Sequence, residues 1–92
     1  MRREEIRNQK LRSMAEGLLE GARVTIANNG VEKVVITRKK LKFLIFIKLK
    51  FSDNHTINNW IQILVAEGLI SVNKTSPNTY IINLDNCEML IS

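Results

Sequence analysis

Apolar positions recur with a helical period at the start of this 92-residue chain. At about 100° per residue, Leu11, Met14, Ala15, Leu18, Leu19, Ala22 and Ile26 fall within an arc of roughly 140°. Arg7, Lys10, Glu16, Glu20 and Arg23 lie outside it. The spacing predicts a long helix to about Ala27, stopped by "ANNG", where Asn29 or Gly30 can take the left-handed conformation. "NG" also suits a type I′ hairpin turn. That turn would set Ile26 opposite Lys33 and Ala27 opposite Glu32, which gives no coherent apolar face, so residues 1–29 read as helix.

A second pattern follows in "KKLKFLIFIKLKF", residues 39–51. Every odd position from Leu41 to Phe51 is apolar, the alternation of a half-buried strand. Wound as a helix, the same run sets Leu41, Leu44, Ile45, Ile47, Leu49 and Phe51 on a wide apolar face. Lys48 intrudes on that face, while Phe43 and Phe46 fall outside it with Lys39, Lys42 and Lys50. Thr37 stands where an N-cap belongs. The run from Arg38 to Phe51 is long for a strand, which usually has about 5–6 residues. A lysine stem can cover apolar surface while its ammonium reaches water. A helix is therefore expected over 38–50, preceded by a short strand in "VVI" at 34–36.

The third pattern is the clearest. "SDNH" at 52–55 is a turn in which Ser52 or Asp53 can cap a helix. In "TINNWIQILVAEGL", Ile57, Trp60, Ile61 and Leu64 share one face, and Glu67-Gly68 ends the helix. "LISVN" and "TYIINL" read as two strands joined by "KTSPN", which contains the only proline. In the tail, 85–92, Asp85 can cap one last helical turn.

Charge sharpens this outline. The net charge is +5. Residues 1–12 carry five basic and two acidic side chains, residues 32–50 seven and one, and residues 51–92 one basic, Lys74, and four acidic. A basic half suits a polyanion, although lysines also simply keep a surface soluble. One cysteine, Cys87, precludes a disulfide within the chain and suits a reducing compartment. One Cys with one His is a poor zinc set. "MRREEIRNQKL" has no apolar signal core. The longest apolar run, Phe43–Ile47, is far shorter than the ~20 residues of a membrane helix. A cytoplasmic protein is expected, in the host cell's cytoplasm if it is viral. His55 lies near Asp53, but no nucleophile motif, metal cluster or glycine loop accompanies the pair, so no enzyme and no cofactor are expected. Trp60 and Cys87 read as core.

The run "ITRKKLKFLIFIKLKFSDNHTINNWIQILVAEGLISVNKTSPNTYIINL" resembles a winged helix-turn-helix DNA-binding domain. Thr37 opening the second helix, Leu41 as its first core anchor, "Thr56-Ile57", Leu64 and "EGLI" at 67–70 carry the likeness. It covers roughly residues 34–84, and nearly the whole chain with the first helix. More loosely, the chain resembles small regulators of archaeal viruses and plasmids. It departs from the family in a longer second helix and in a short wing with one lysine.

The resemblance implies a single α+β domain: a long N-terminal helix, a short strand, two helices of the helix-turn-helix and a two-stranded wing. It implies a sequence-specific double-stranded DNA-binding protein that regulates transcription, its third helix (about 53–67) in the major groove. On that helix Asn54, His55, Asn58, Asn59 and Gln62 lie opposite Ile57, Ile61 and Leu64. A carboxamide donates and accepts together, which matches adenine N6 and N7. Arg38, Lys39 and Lys40, at the start of the second helix, suit phosphates, and Lys74 is the wing's cation. The first helix is longer than a monomeric winged domain needs, so a homodimer through it is expected. Fold alone does not fix function, and the cation-free third helix leaves a protein–protein adaptor as the rival reading.

Overall fold

Thr37 sets the path of the chain by serving two elements at once. It is the last residue of a strand, β1 (Val35–Thr37), and the N-cap of a helix, α2 (Arg38–Leu49). Its hydroxyl accepts the backbone N–H of Lys40 at 3.2 Å. The computed structural model describes the backbone of residues 3–29 and 34–92, and side chains within 5–23 and 34–92. Around α2 stand α1 (Arg3–Asn29), α3 (Asn54–Ala66), the strands β2 (Ile70–Val72) and β3 (Thr79–Ile82), and α4 (Leu84–Ile91). The three strands form one antiparallel sheet in the order β1–β3–β2. The fold is α+β.

The ambiguous lysine-rich segment is a helix. Leu41, Ile45 and Leu49 are buried, a stripe at i, i+4 and i+8 that the odd-numbered alternation also contains. Lys50 ends the helix with a left-handed φ of 64° and donates its N–H to the carbonyl of Phe46 at 3.0 Å. Ile47, expected on the apolar face, is instead exposed, and so are Phe43 and Phe46. The buried stripe is narrower than the wheel suggested because α2 meets its neighbours on one side only. Lys48 keeps its place through its stem, which lies against Gly17 of α1: a Cβ built there would sit 3.1 Å from Lys48 Cε and 3.1 Å from Leu44 Cδ1. Gly17 thus allows two helices to approach closely, at the cost of about 1 kcal/mol in helix propensity.

α1 has 27 residues and spans about 40 Å at 1.5 Å per residue, the full 41 Å length of the molecule. Leu11, Met14, Ala15, Leu18, Leu19 and Ala22 are all buried. They pack on α2 and α4. The face that suggested dimerisation is therefore covered within the chain. The side chain of Ile26, and Gly30 of the expected stop, lie outside the described residues.

What covers that face corrects a further expectation. Residues 85–92 are not a tail with one helical turn capped by Asp85. The helix α4 begins at Leu84, and Asn83 holds the N-cap position. Asn83 makes no side-chain cap bond; its Nδ2 donates to the Gly68 carbonyl at 2.7 Å and to Ser71 Oγ at 3.0 Å. Asn86 Nδ2 donates to the same carbonyl at 2.7 Å. Gly68 can present it because its φ is +78°, a conformation strained for any residue with a Cβ. Cys87 is fully buried, and Leu84, Leu90 and Ile91 pack on the core. The 34–84 unit is thus completed by α4.

α3 follows the sequence reading closely. Of the two cap candidates Asp53 is the one used, its Oδ2 accepting the Thr56 N–H and hydroxyl at 2.9 Å each. Ile57, Trp60, Ile61 and Leu64 are buried. Trp60 stacks on Phe51, with ring centroids 6.4 Å apart, and Lys10 Nζ lies 4.6 Å from the Phe51 centroid. Ile63 and Val65, off the main face, are half-buried against the core. No helix among the described residues is long and apolar enough to cross a membrane.

Candidate nucleic-acid interface

The exposed side of α3 results from its own period. With Ile57, Trp60, Ile61 and Leu64 turned inward, the opposite arc must carry residues 55, 59 and 62. Asn54, His55, Asn59 and Gln62 are exposed. Asp53, one residue before the helix, holds its carboxyl below the ordinary carboxylate range. The backbone N–H of Thr56 is the main cause, then its hydroxyl, with His55 adding a smaller electrostatic contribution. The cap therefore stays ionised at the positive end of the helix, where a negative charge is favoured.

Arg38 joins three elements. Its Nη2 donates to Asn58 Oδ1 of α3 at 2.8 Å, and its Nη1 to the Tyr80 hydroxyl of β3 at 3.0 Å. Its backbone N–H, one of the donors a helix start leaves unpaired, goes to the Asn78 carbonyl in the β2–β3 turn at 2.8 Å. Asn78 reaches that position with a left-handed φ of 57°, which asparagine tolerates better than most residues. The guanidinium thus spans the start of α2, the middle of α3 and the hairpin. Both of its side-chain acceptors are neutral, so its charge is not cancelled there.

This network changes two expectations. Arg38 is half-buried and oriented by protein acceptors, not a freely extended phosphate ligand. The carboxamide oxygen of Asn58 already accepts from Arg38, which uses one of its two lone pairs. A bidentate contact to adenine through Asn58 would share that oxygen with the guanidinium. The structure thus divides the candidates. Asn54, His55, Asn59 and Gln62 stand exposed on α3; Lys39 and Lys40 are exposed on the first turn of α2; and Lys74 is exposed in the hairpin turn beside the Asn73–Thr75 hydrogen bonds. Among the described residues, the one ion pair is Arg7–Glu67, which ties α1 to the end of α3 at 2.9 Å. It does not involve these lysines.

Between α3 and the hairpin runs an open groove of about 320 Å³, bordered by Arg38, Asn58, Gln62, Val65, Val72 and Tyr80 among others. Tyr80 belongs to the Arg38 network and was not among the sequence candidates: it lies in an apolar strand, and nothing local pairs it with a side chain 42 positions earlier. Among the described residues, no group of three or more His, Cys, Asp or Glu could hold a metal ion. Against family models, curated proteins and solved structures, the chain has no match.

Proposed function

We propose that this chain is a winged helix-turn-helix protein that binds double-stranded DNA at specific sequences and regulates transcription in the cytoplasm. The order α1–β1–α2–α3–β2–β3, with β3 central in the sheet, suits that fold, and the hairpin would be the wing. The observation that carries the reading is the row of exposed His55, Asn59 and Gln62 on α3, with Asn54 exposed at its first position, and with Lys39 and Lys40 exposed on one further element and Lys74 on another. A helix fits the major groove. Carboxamides there can read base edges, while lysines outside it neutralise phosphates. Arg38 holds the reading helix and the wing at a set angle.

Selection from a random duplex library tests this directly. It should return a defined motif, palindromic if two copies bind together and single if one does. Lys39→Ala or Lys40→Ala should weaken all duplexes alike and lower the salt slope by about one for each phosphate left without its cation. Asn59→Ala or Gln62→Ala should weaken the selected site by about 1–3 kcal/mol and spare random duplex. Failure to enrich any motif at low salt would refute the reading. The rival, an adaptor without DNA binding, would then lead. It draws support from the cation-free outer face of α3 and from the exposed phenylalanines of α2.

A further inference from the structure

The proposed reading takes only Lys39 and Lys40 from the outer side of α2 and leaves its apolar residues unused. Phe43 is 63% exposed, Phe46 48% and Ile47 41%. At about 100° per residue they lie within one arc of roughly 120°, on the side away from buried Ile45. Lys39 lies in that arc and Lys40 beside it, and Lys50 is exposed at the C-cap of the helix. The sequence has no carboxylate between Glu32 and Asp53. Within α2 the face is thus an apolar i, i+3, i+4 triplet whose only charged companions are cations.

From this we infer that the outer face of α2 docks an acidic amphipathic helix of a partner protein. Its apolar stripe would cover Phe43, Phe46 and Ile47, and its carboxylates would meet Lys39, Lys40 and Lys50. Helices seat on one another through i, i+3, i+4 anchors, and complementary charge selects the partner and speeds encounter. Charge also argues against a second copy: docking by two-fold symmetry would set two lysine-bearing faces against each other.

The test is a displayed library of helical peptides of roughly 16 residues, long enough to fold on contact. The peptides carry a fixed leucine stripe with the remaining positions randomised over Asp, Glu, Lys, Arg, Gln and Ser. Selection against the full chain without nucleic acid should enrich Asp and Glu. The winners should bind Phe43→Ala/Phe46→Ala at least about tenfold more weakly. That double variant should keep its urea midpoint, since both rings are exposed, and its duplex affinity. No enrichment, enrichment indifferent to charge, or equal binding by the double variant would overturn the inference. So would a dimer in light scattering that the double variant dissolves, capture by phosphatidylserine vesicles that it abolishes, or a parallel loss of duplex binding. The inference shares Lys39 and Lys40 with the DNA-binding reading but is tested apart from it, because the selection contains no DNA and the varied phenylalanines contact neither phosphate nor base in that reading.

Discussion

Replacing Arg38 and Asn58 with alanine, singly and together, measures the contact that joins α2 to α3. Arg38→Ala removes hydrogen bonds of 2.8 Å and 3.0 Å to Asn58 and Tyr80. Hydrogen bonds to a charged group contribute about 1.5–3 kcal/mol each. Here the groove is open and water can replace the lost partner, so each bond is expected to fall below that range, at about 1 kcal/mol, or about 2 kcal/mol for both together. Asn58→Ala removes one of the two and should cost about 1 kcal/mol. The double variant loses the shared bond only once, so the single losses should exceed their combination by about 1 kcal/mol. In thermal melts 1 kcal/mol is about 4–8 °C for a domain of this size. Urea unfolding of the four proteins gives the coupling directly, and the packing of the arginine stem cancels in the cycle. Arg38→Lys sharpens the result: one ammonium cannot span both acceptors, so the variant should fall between wild type and Arg38→Ala. If the two single losses add within about 0.3 kcal/mol, the hydrogen bond does not join the helices energetically, and Arg38 does not set the angle between α3 and the hairpin.

The two described glycines of α1 should respond in opposite directions. A Cβ at Gly21 meets nothing within 4 Å, so Gly21→Ala should stabilise by about 0.5–1 kcal/mol, whereas Gly17→Leu must push α2 away and should lower the melting temperature by several degrees, at a cost of about 1–3 kcal/mol. Asp53 has a carboxyl pKa lowered from 3.8, so its contribution is present above that value and lost as the pH falls through the lower folded-state value; an acid titration of stability should show this component vanish in Asp53→Ala. The buried Cys87 thiol is pushed up to about 11 from an ordinary 9.0, by burial first and Glu88 second. It should resist a thiol reagent at pH 8 until the protein unfolds, and its contribution to stability should fade as the pH rises from 9.0 through about 11. Rapid labelling of the native protein would place the thiol at the surface.

The sequence by itself determined the features that arise within a turn or two of chain. Thr37 and Asp53 are helix caps because their oxygens reach an N–H three residues on. The inward row of α3, Trp60 included, comes from its period, and the β2–β3 hairpin from two short apolar runs around a proline turn. The alternating run was less legible: Leu41, Ile45 and Leu49 satisfy a strand and a helix alike, and only the cap and the length of the run tipped the balance. The face of exposed carboxamides on α3 was readable for the same local reason, except that Asn58 proved committed to Arg38.

Tertiary structure alone decided which faces meet. A helical wheel tells which residues share a side but not what covers it. The apolar face of α1 could have awaited a second chain. It is instead closed by α2 and α4, the latter a segment read as a tail because eight residues carry too little pattern to announce a helix. Gly17 resembles a helix weakness until Leu44 and Lys48 are laid against it, and Phe43 and Phe46, outside the apolar face on the wheel, are exposed because no other element of the fold covers them. Arg38 finds Tyr80 across 42 positions. Periodicity and capping act over three or four residues, whereas such pairings depend on how whole elements cross.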